Sequence, residues 1–188
     1  MIPSLLANKY DLIIASMSIT DKRLEKIDFS DTYRISVGRL VGRKNSGWTL
    51  FDDNGEPIPA NFAGLKVGVD RGTTYQHWFE AVLPEANVVL YDSNEAMYLD
   101  LTNGRTDMII TNPMKAYLRF LSGEEGENYE FVSPQIDERK YFGIGVGIGL
   151  RHGNDELKAR LNAALKTLTD DGWLEKYALK YFPFAIHK

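Results

Sequence analysis

Short apolar runs alternate with stretches of helical periodicity along this chain, and their order predicts its architecture. Leu12-Ile13-Ile14 reads as a buried strand, 27–30 as a short extended piece and 35–41 as a second strand. Between Leu50-Phe51 and Ile58, Asp53-Asn54-Gly55 is a tight-turn signal, so 48–61 reads as an insertion. A regular alternation follows. A strand over 66–70 leads to a helix over 74–82, and a strand over 88–91 leads to a helix that begins after Asp92-Ser93 and ends at Gly104. A strand over 106–111 leads to a helix opened by Pro113, a favoured first-turn residue, and 129–132 is a further strand. Strands alternating with helices predict an α/β fold with a mostly parallel sheet.

The last part of the chain has two other patterns. In Gly143-Ile144-Gly145-Val146-Gly147-Ile148-Gly149-Leu150 glycine alternates with apolar residues. One face of that predicted strand is bare backbone, open to close approach by a ligand or simply packed tightly in a core. Asn154 then caps a long helix with Leu157, Leu161, Ala164, Leu165 and Leu168 on one face. Gly172 ends it, and a second helix with Trp173, Leu174, Tyr177 and Ala178 runs to Pro183. The spacing places this stripe in a core and needs no ligand to explain it.

Candidate chemistry gathers where strands give way to helices. After Leu12-Ile13-Ile14 comes Ala15-Ser16-Met17-Ser18-Ile19-Thr20-Asp21-Lys22-Arg23, in which Ser18 and Asp21 form a capping-box pattern opening a short helix. Backbone N–H groups, hydroxyls and a guanidinium at one strand end suit a carboxylate or another small anion. The plainer reading is an N-cap and a solvated arginine. A second copy of the device weighs against it: the strand ending at Asp70 meets Arg71-Gly72-Thr73-Thr74 at a helix start. Ligands of open α/β sheets bind beyond the carboxyl ends of strands.

Composition narrows the classes further. The length of 188 residues suffices for one or two small domains, and the net charge of −4 comes from mixed signs with no basic block to suggest nucleic acid. Zero cysteines remove disulfides and thiolate chemistry, and His77, His152 and His187 show no metal spacing. No metal or cofactor is therefore expected. No run approaches the ~18 apolar residues of a spanning helix.

These pieces together resemble a known family, the periplasmic polar amino-acid-binding proteins of ABC transporters, in particular the lysine/arginine/ornithine- and histidine-binding ones. The resemblance rests on Ile2-Pro3-Ser4-Leu5, the stretch 16–23, Phe29-Ser30-Asp31, Val67-Gly68-Val69 with Gly72-Thr73-Thr74, 100–107, Phe142-Gly143-Ile144-Gly145 and Tyr181-Phe182, in family order from end to end. It implies a type II periplasmic-binding-protein fold, with two α/β lobes joined by a two-strand hinge and closing on ligand. Lobe 1 would be 1–44 plus 141–188 and lobe 2 would be 45–140, with crossings near Arg43-Lys44 and Tyr141-Phe142. The resemblance also implies that the family's opening strand–helix–strand segment and signal peptide are missing before Ile2. Lobe 1 would then be N-terminally truncated, with a homodimer through that lobe as one consequence.

Carried onto this chain, the family site implies that Arg23 pairs with the ligand α-carboxylate, assisted by the backbone N–H groups of Ser18 and Thr74. The Ser16 carbonyl and the Ser18 hydroxyl would hold the α-amino group. Where the family completes the amino site with an aspartate, this chain has Asn112. An amide does not neutralise an ammonium, a loss on the order of 1–2 kcal/mol, so a ligand with a modified amino group is expected. Asp70 and Arg71 are candidates for the ligand side chain, each reading equally well as half of a surface ion pair. The resemblance implies a periplasmic receptor that captures an amino acid or a derivative between two lobes, passes it to a membrane permease and catalyses nothing. The alternatives are a cyclohexadienyl dehydratase-like enzyme on the same fold, with Asp70 or Glu138 as general acid, and the sensory domain of a receptor.

Overall fold

The computed structural model describes residues 1–184 and 186. Its elements in chain order are α1 (Ile2–Leu6), β1 (Ile13–Ser18), α2 (Asp21–Leu24), β2 (Asp28–Phe29), β3 (Arg39–Arg43), β4 (Lys66–Asp70), α3 (Thr74–Val82), β5 (Asn87–Tyr91), α4 (Asn94–Thr102), β6 (Met108–Thr111), α5 (Pro113–Ala116, continuing as a π-turn over Tyr117–Leu121), β7 (Tyr129–Phe131), α6 (Arg139–Phe142), β8 (Val146–Leu150), α7 (Asp155–Asp170) and α8 (Trp173–Tyr181). They form two units, Met1–Ser36 with Glu138–Lys188 and Val37–Asp137. These boundaries lie earlier in the chain than the crossings that the resemblance implies, because β3 is held in the second unit by β6 and β7.

The second unit is built on a sheet of order β5-β4-β6-β3-β7. β4 pairs in parallel with β5 and with β6, while β3 runs antiparallel to β6 and β7. The sheet is thus mixed rather than mostly parallel. Parallel neighbours need a crossover; α3 and α4 supply crossovers for β4, β5 and β6 only. β6 is buried along its whole length, as its apolar run Met108-Ile109-Ile110 requires. Val41, Tyr91, Met97, Tyr98, Leu101, Ile109, Ala116, Phe120 and Tyr129 close a core around it, with the rings of Tyr98 and Phe120 stacked at 5.0 Å. The turn expected at 53–55 forms, with Asp52 Oδ1 accepting from the N–H groups of Asn54 and Glu56 and Gly55 at φ +83°.

The first unit carries a sheet of order β1-β8-β2, antiparallel at both pairings. The glycine-alternating run is a shorter strand than its pattern predicts, because α6 precedes it and Gly143 turns the chain at φ +74°. Its bare face is used for packing. A Cβ on Gly149 would lie 3.1 Å from Ile27 Cδ1 and one on Gly147 would lie 2.8 Å from Ile19 Cδ1. Ile19 and Ile27 belong to a core with Leu5, Ile13, Met17 and Phe29.

The stripe on α7 and α8 is not the buried core that its spacing predicts. No residue of α7 is buried, α8 buries only Ala178, and Tyr177 is 55 % exposed. Leu157, Leu161 and Leu165 are only partly covered, and on α8 the aromatic rings partner each other: Trp173 and Tyr177 stack at 5.5 Å, with Lys176 Nζ 4.5 Å above Trp173. Asn154 occupies the N-cap position of α7 but makes no side-chain cap bond.

Candidate functional site

In the first unit, β1 and α2 bring Ser16, Ser18 and Arg23 together. The register of β1 against β8 slips between Ile13 and Met17. Ser16 lies in that slip, exposed and at φ +56°, a left-handed conformation uncommon for a residue with a Cβ. Such bulges take a residue out of the ladder and re-aim its polar groups. Ser18 is still in the strand, paired with Val146, and is buried. The expected Ser18–Asp21 capping box therefore does not form. The Ser18 hydroxyl shares a 2.7 Å hydrogen bond with that of Ser36, and the N-cap of α2 is Thr20 in extended conformation.

Arg23 folds back over this strand end, Nη1 donating to the Ser18 carbonyl at 2.8 Å. It is half-buried, and among the described residues no ion pair includes it. Desolvation alone holds its pKa below the ordinary arginine value. A guanidinium stripped of part of its water and unpaired with an acid is poised to accept a carboxylate in a two-pronged hydrogen bond.

In the second unit, β4 and β6 are parallel neighbours with Val69 opposite Ile110, so Asp70 and Thr111 end adjacent strands side by side. The Asp70 side chain is 14 % exposed and lies 3.6 Å from Lys115 Nζ. Burial pushes its pKa up, more strongly than Lys115 draws it down, and Glu95 adds to the rise. Arg71 instead pairs with Asp92 at 2.8 Å with both side chains largely in solvent, a surface ion pair. α3 starts with the cap that its sequence favours. Thr73 Oγ1 donates to the Asp70 carbonyl and accepts from Gln76 N, while Gln76 Oε1 accepts from Gly72 N. Thr74 is the first helical residue, where the N–H has no intrahelical acceptor.

Asn112 is the N-cap of α5. Its Oδ1 accepts from the N–H groups of Met114 at 3.1 Å and Lys115 at 3.4 Å. Two N–H donors require an acceptor, which identifies the amide oxygen and leaves Nδ2 as the group directed elsewhere. Beside this cap the hydroxyls of Tyr98 and Thr111 are buried near each other, with no hydrogen-bond partner outside the pair. Burial pushes the Tyr98 phenol up to about 12; the Thr111 hydroxyl offsets a little of that, and the charges of Asp70, Glu95 and Arg119 also reach it.

Each unit thus gathers its own share of the expected residues: Ser16, Ser18 and Arg23 in one, Asp70, Thr74 and Asn112 in the other. The sequence reading missed Ser36, Lys115, Tyr98 and Thr111. Lys115 falls one turn after Asn112, but its approach to Asp70 exists only once β4 and β6 pair. Among the described residues no group of three or more His, Cys, Asp or Glu is placed to hold a metal. His77 and His152 each face one carboxylate, of Glu80 and Asp28, and His187 lies outside the described residues. No helix among the described residues is long and apolar enough to cross a membrane.

Comparison with known proteins adds to these observations. The chain is 38 % identical over 192 residues to the histidine-binding periplasmic protein of Salmonella typhimurium, covering all of this chain and 70 % of that protein. It is 37 % identical over 189 residues to the lysine/arginine/ornithine-binding periplasmic protein of Escherichia coli, again over 70 % of that protein. Its fold matches that of an arginine-specific periplasmic binding protein of Salmonella typhimurium with a TM-score of 0.80 at 29 % identity, covering 96 % of this chain and 76 % of that one. These relatives are named as binding proteins rather than enzymes, and the fold they share is the type II periplasmic-binding fold. The profile of the bacterial extracellular solute-binding proteins, family 3, matches residues 1–184, and the chain belongs to that family.

Proposed function

We propose that this chain is the extracytoplasmic solute-binding receptor of an ABC transporter, which captures an amino acid or an amino-acid derivative in the periplasm and hands it to the permease. The observation that carries the reading is Arg23, a half-buried guanidinium held by the Ser18 carbonyl with no acid paired to it among the described residues. In this reading Arg23 binds the ligand carboxylate with the N–H groups of Ser18 and Thr74. Ser16 and Ser18 contact the amino end, Asn112 lies beside it, and Asp70 faces the ligand side chain. Relatives named for histidine, arginine, lysine and ornithine support an amino-acid ligand. A thermal-shift panel of arginine, lysine, ornithine and histidine tests the reading, since a ligand of the native state raises the melting temperature. No shift with any of them or with their Nα-substituted derivatives, or turnover of prephenate or arogenate, overturns it.

We propose in addition that copies of this chain associate through the first unit. Three features support this: the sheet edge at β1, Ile14 at 65 % exposure beside it, and the open aromatic face of α8. Open edges and large apolar patches favour association.

A further inference from the structure

Asparagine is followed by glycine twice in the chain, at Asn54-Gly55 and Asn103-Gly104, and both pairs are exposed. Such a pair is chemically weak. Glycine has no Cβ to crowd its backbone nitrogen, so that nitrogen is able to attack the asparagine side-chain carbonyl. A bond forms from the glycine nitrogen to the asparagine Cγ, the amide proton passes through solvent to the side-chain nitrogen, and ammonia leaves. Water then opens the resulting cyclic imide at one of its carbonyls, giving aspartate or isoaspartate. The attack needs the glycine N–H freed from its hydrogen bond and the backbone free to turn, so the cost of local opening sets the rate at each pair.

The two pairs differ in what opening them breaks. Residues 52–56 form the tip of the 48–61 insertion and are all exposed. Gly55 N donates to the Asp52 carbonyl at 3.0 Å, and Asp52 Oδ1 accepts from Asn54 N at 2.8 Å and Glu56 N at 2.9 Å. Water is at hand to replace each of these partners, so opening costs little. Asn103 instead is the C-cap of α4. Gly104 N donates to the Leu101 carbonyl at 3.2 Å, and the Asp100 carbonyl accepts from Arg105 N and Thr106 N. The Asp100 carboxylate is held in turn by the Tyr91 hydroxyl and by Arg105 Nη1, each at 2.8 Å, with Tyr91 and Thr106 buried. Freeing Gly104 unwinds that end of the helix.

We propose that Asn54 is a site of spontaneous covalent modification, converting to aspartate and isoaspartate in the folded protein, while the α4 cap protects Asn103. Each conversion makes the net charge of −4 more negative by one. The new carboxylate arises beside Asp52, Asp53 and Glu56, and Asn54 Nδ2, now 3.5 Å from Asp52 Oδ2, is lost as the donor there. The isoaspartate form also lengthens the main chain by a methylene within the turn. None of this depends on which ligand the protein binds.

The test is peptide mapping by mass spectrometry on the full chain incubated in mildly alkaline buffer at physiological temperature. It reads the rate at which each asparagine exchanges NH2 for OH, with isoaspartate resolved as a separate chromatographic peak. The folded protein is expected to convert Asn54 at least about tenfold faster than Asn103, a gap of about 1.4 kcal/mol in opening free energy. In guanidinium chloride the two rates should converge, because both pairs have the same chemistry once the fold is gone. Asn54→Gln, whose longer side chain closes a less favoured ring, should abolish the conversion in its peptide. Asp100→Ala removes the side-chain contacts to Tyr91 and Arg105 and should speed conversion of Asn103 alone; circular dichroism confirms that the variant is folded. Equal rates in the folded protein, faster conversion at Asn103, or no conversion of Asn54 while the denatured chain reacts overturns the proposal. A gap that persists in denaturant, or an Asn103 rate unmoved by Asp100→Ala, overturns the protection assigned to the α4 cap.

Discussion

Arg23 and Asp70 are two residues whose burial disfavours their charged forms, and they answer to substitution in different ways. Arg23→Lys keeps a cation but loses the planar fork that grips both oxygens of a carboxylate. Ligand affinity should fall by about 1.5–3 kcal/mol, the range of a hydrogen bond to a charged group, with the melting temperature nearly unchanged; calorimetry and a thermal melt read the two separately. Equal affinity would remove Arg23 from the site. Asp70 has its folded pKa raised above 3.8 by burial, so between 3.8 and its folded value the native state holds more protons than the unfolded one. Its share of stability therefore grows as pH falls through that window and is lost as pH rises. Removing the ammonium in Lys115→Met widens the window upward. That variant should melt below the wild type at pH 7, and the gap should narrow on acidification toward pH 4. A gap that stays constant with pH would mean that Asp70 does not feel Lys115.

At the scale of elements, the join between α6 and β8 is the most constrained point of the first unit. Gly143 sits at φ +74°, and a Cβ there would lie 1.8 Å from the Ile19 carbonyl oxygen, so backbone would have to move. Gly153 has a similar φ of +77° with nothing within 4 Å of a Cβ. Gly153→Ala should cost about 1 kcal/mol from conformation alone. Gly143→Ala should cost well beyond that, about 3 kcal/mol or more, because steric overlap is added. Urea unfolding of the pair measures the difference, and similar midpoints would show that the α6–β8 join gives way easily. The same close approach explains why the glycine-alternating run packs rather than binds: Ile19 and Ile27 fill the space that side chains would take.

For the molecule as a whole, two expectations follow from the same surfaces. A cognate ligand at a hundred times its Kd should stabilise the protein by about 2.7 kcal/mol, visible as a rise in melting temperature that scales with the logarithm of ligand concentration. Association through the first unit should appear in light scattering at micromolar concentration. Tyr177→Lys with Ile14→Lys should reduce it, since both side chains are more than half exposed and neither belongs to a core. A monomer at every concentration would set the association proposal aside.

Sequence by itself determined the local features, because they depend on neighbours in the chain. The parallel β4–α3–β5–α4–β6 run, the Ser93 cap of α4, the Pro113 start of α5 and the Asp52 turn are all legible from apolar period, capping residues and glycine. That Arg23, Asp70 and Asn112 stand at or just beyond strand ends, as charged or amide groups, was legible too. Tertiary structure alone decided which partners they take. Ser18 carries a capping-box pattern, yet strand pairing with β8 holds it back and gives its hydroxyl to Ser36. Lys115 reaches Asp70 only across two paired strands, and Asn112 shows which end of its amide is free only once α5 claims the other. The stripe on α7 and α8 has the period of a buried face, but period says only which residues share a side; whether that side is covered depends on what lies opposite.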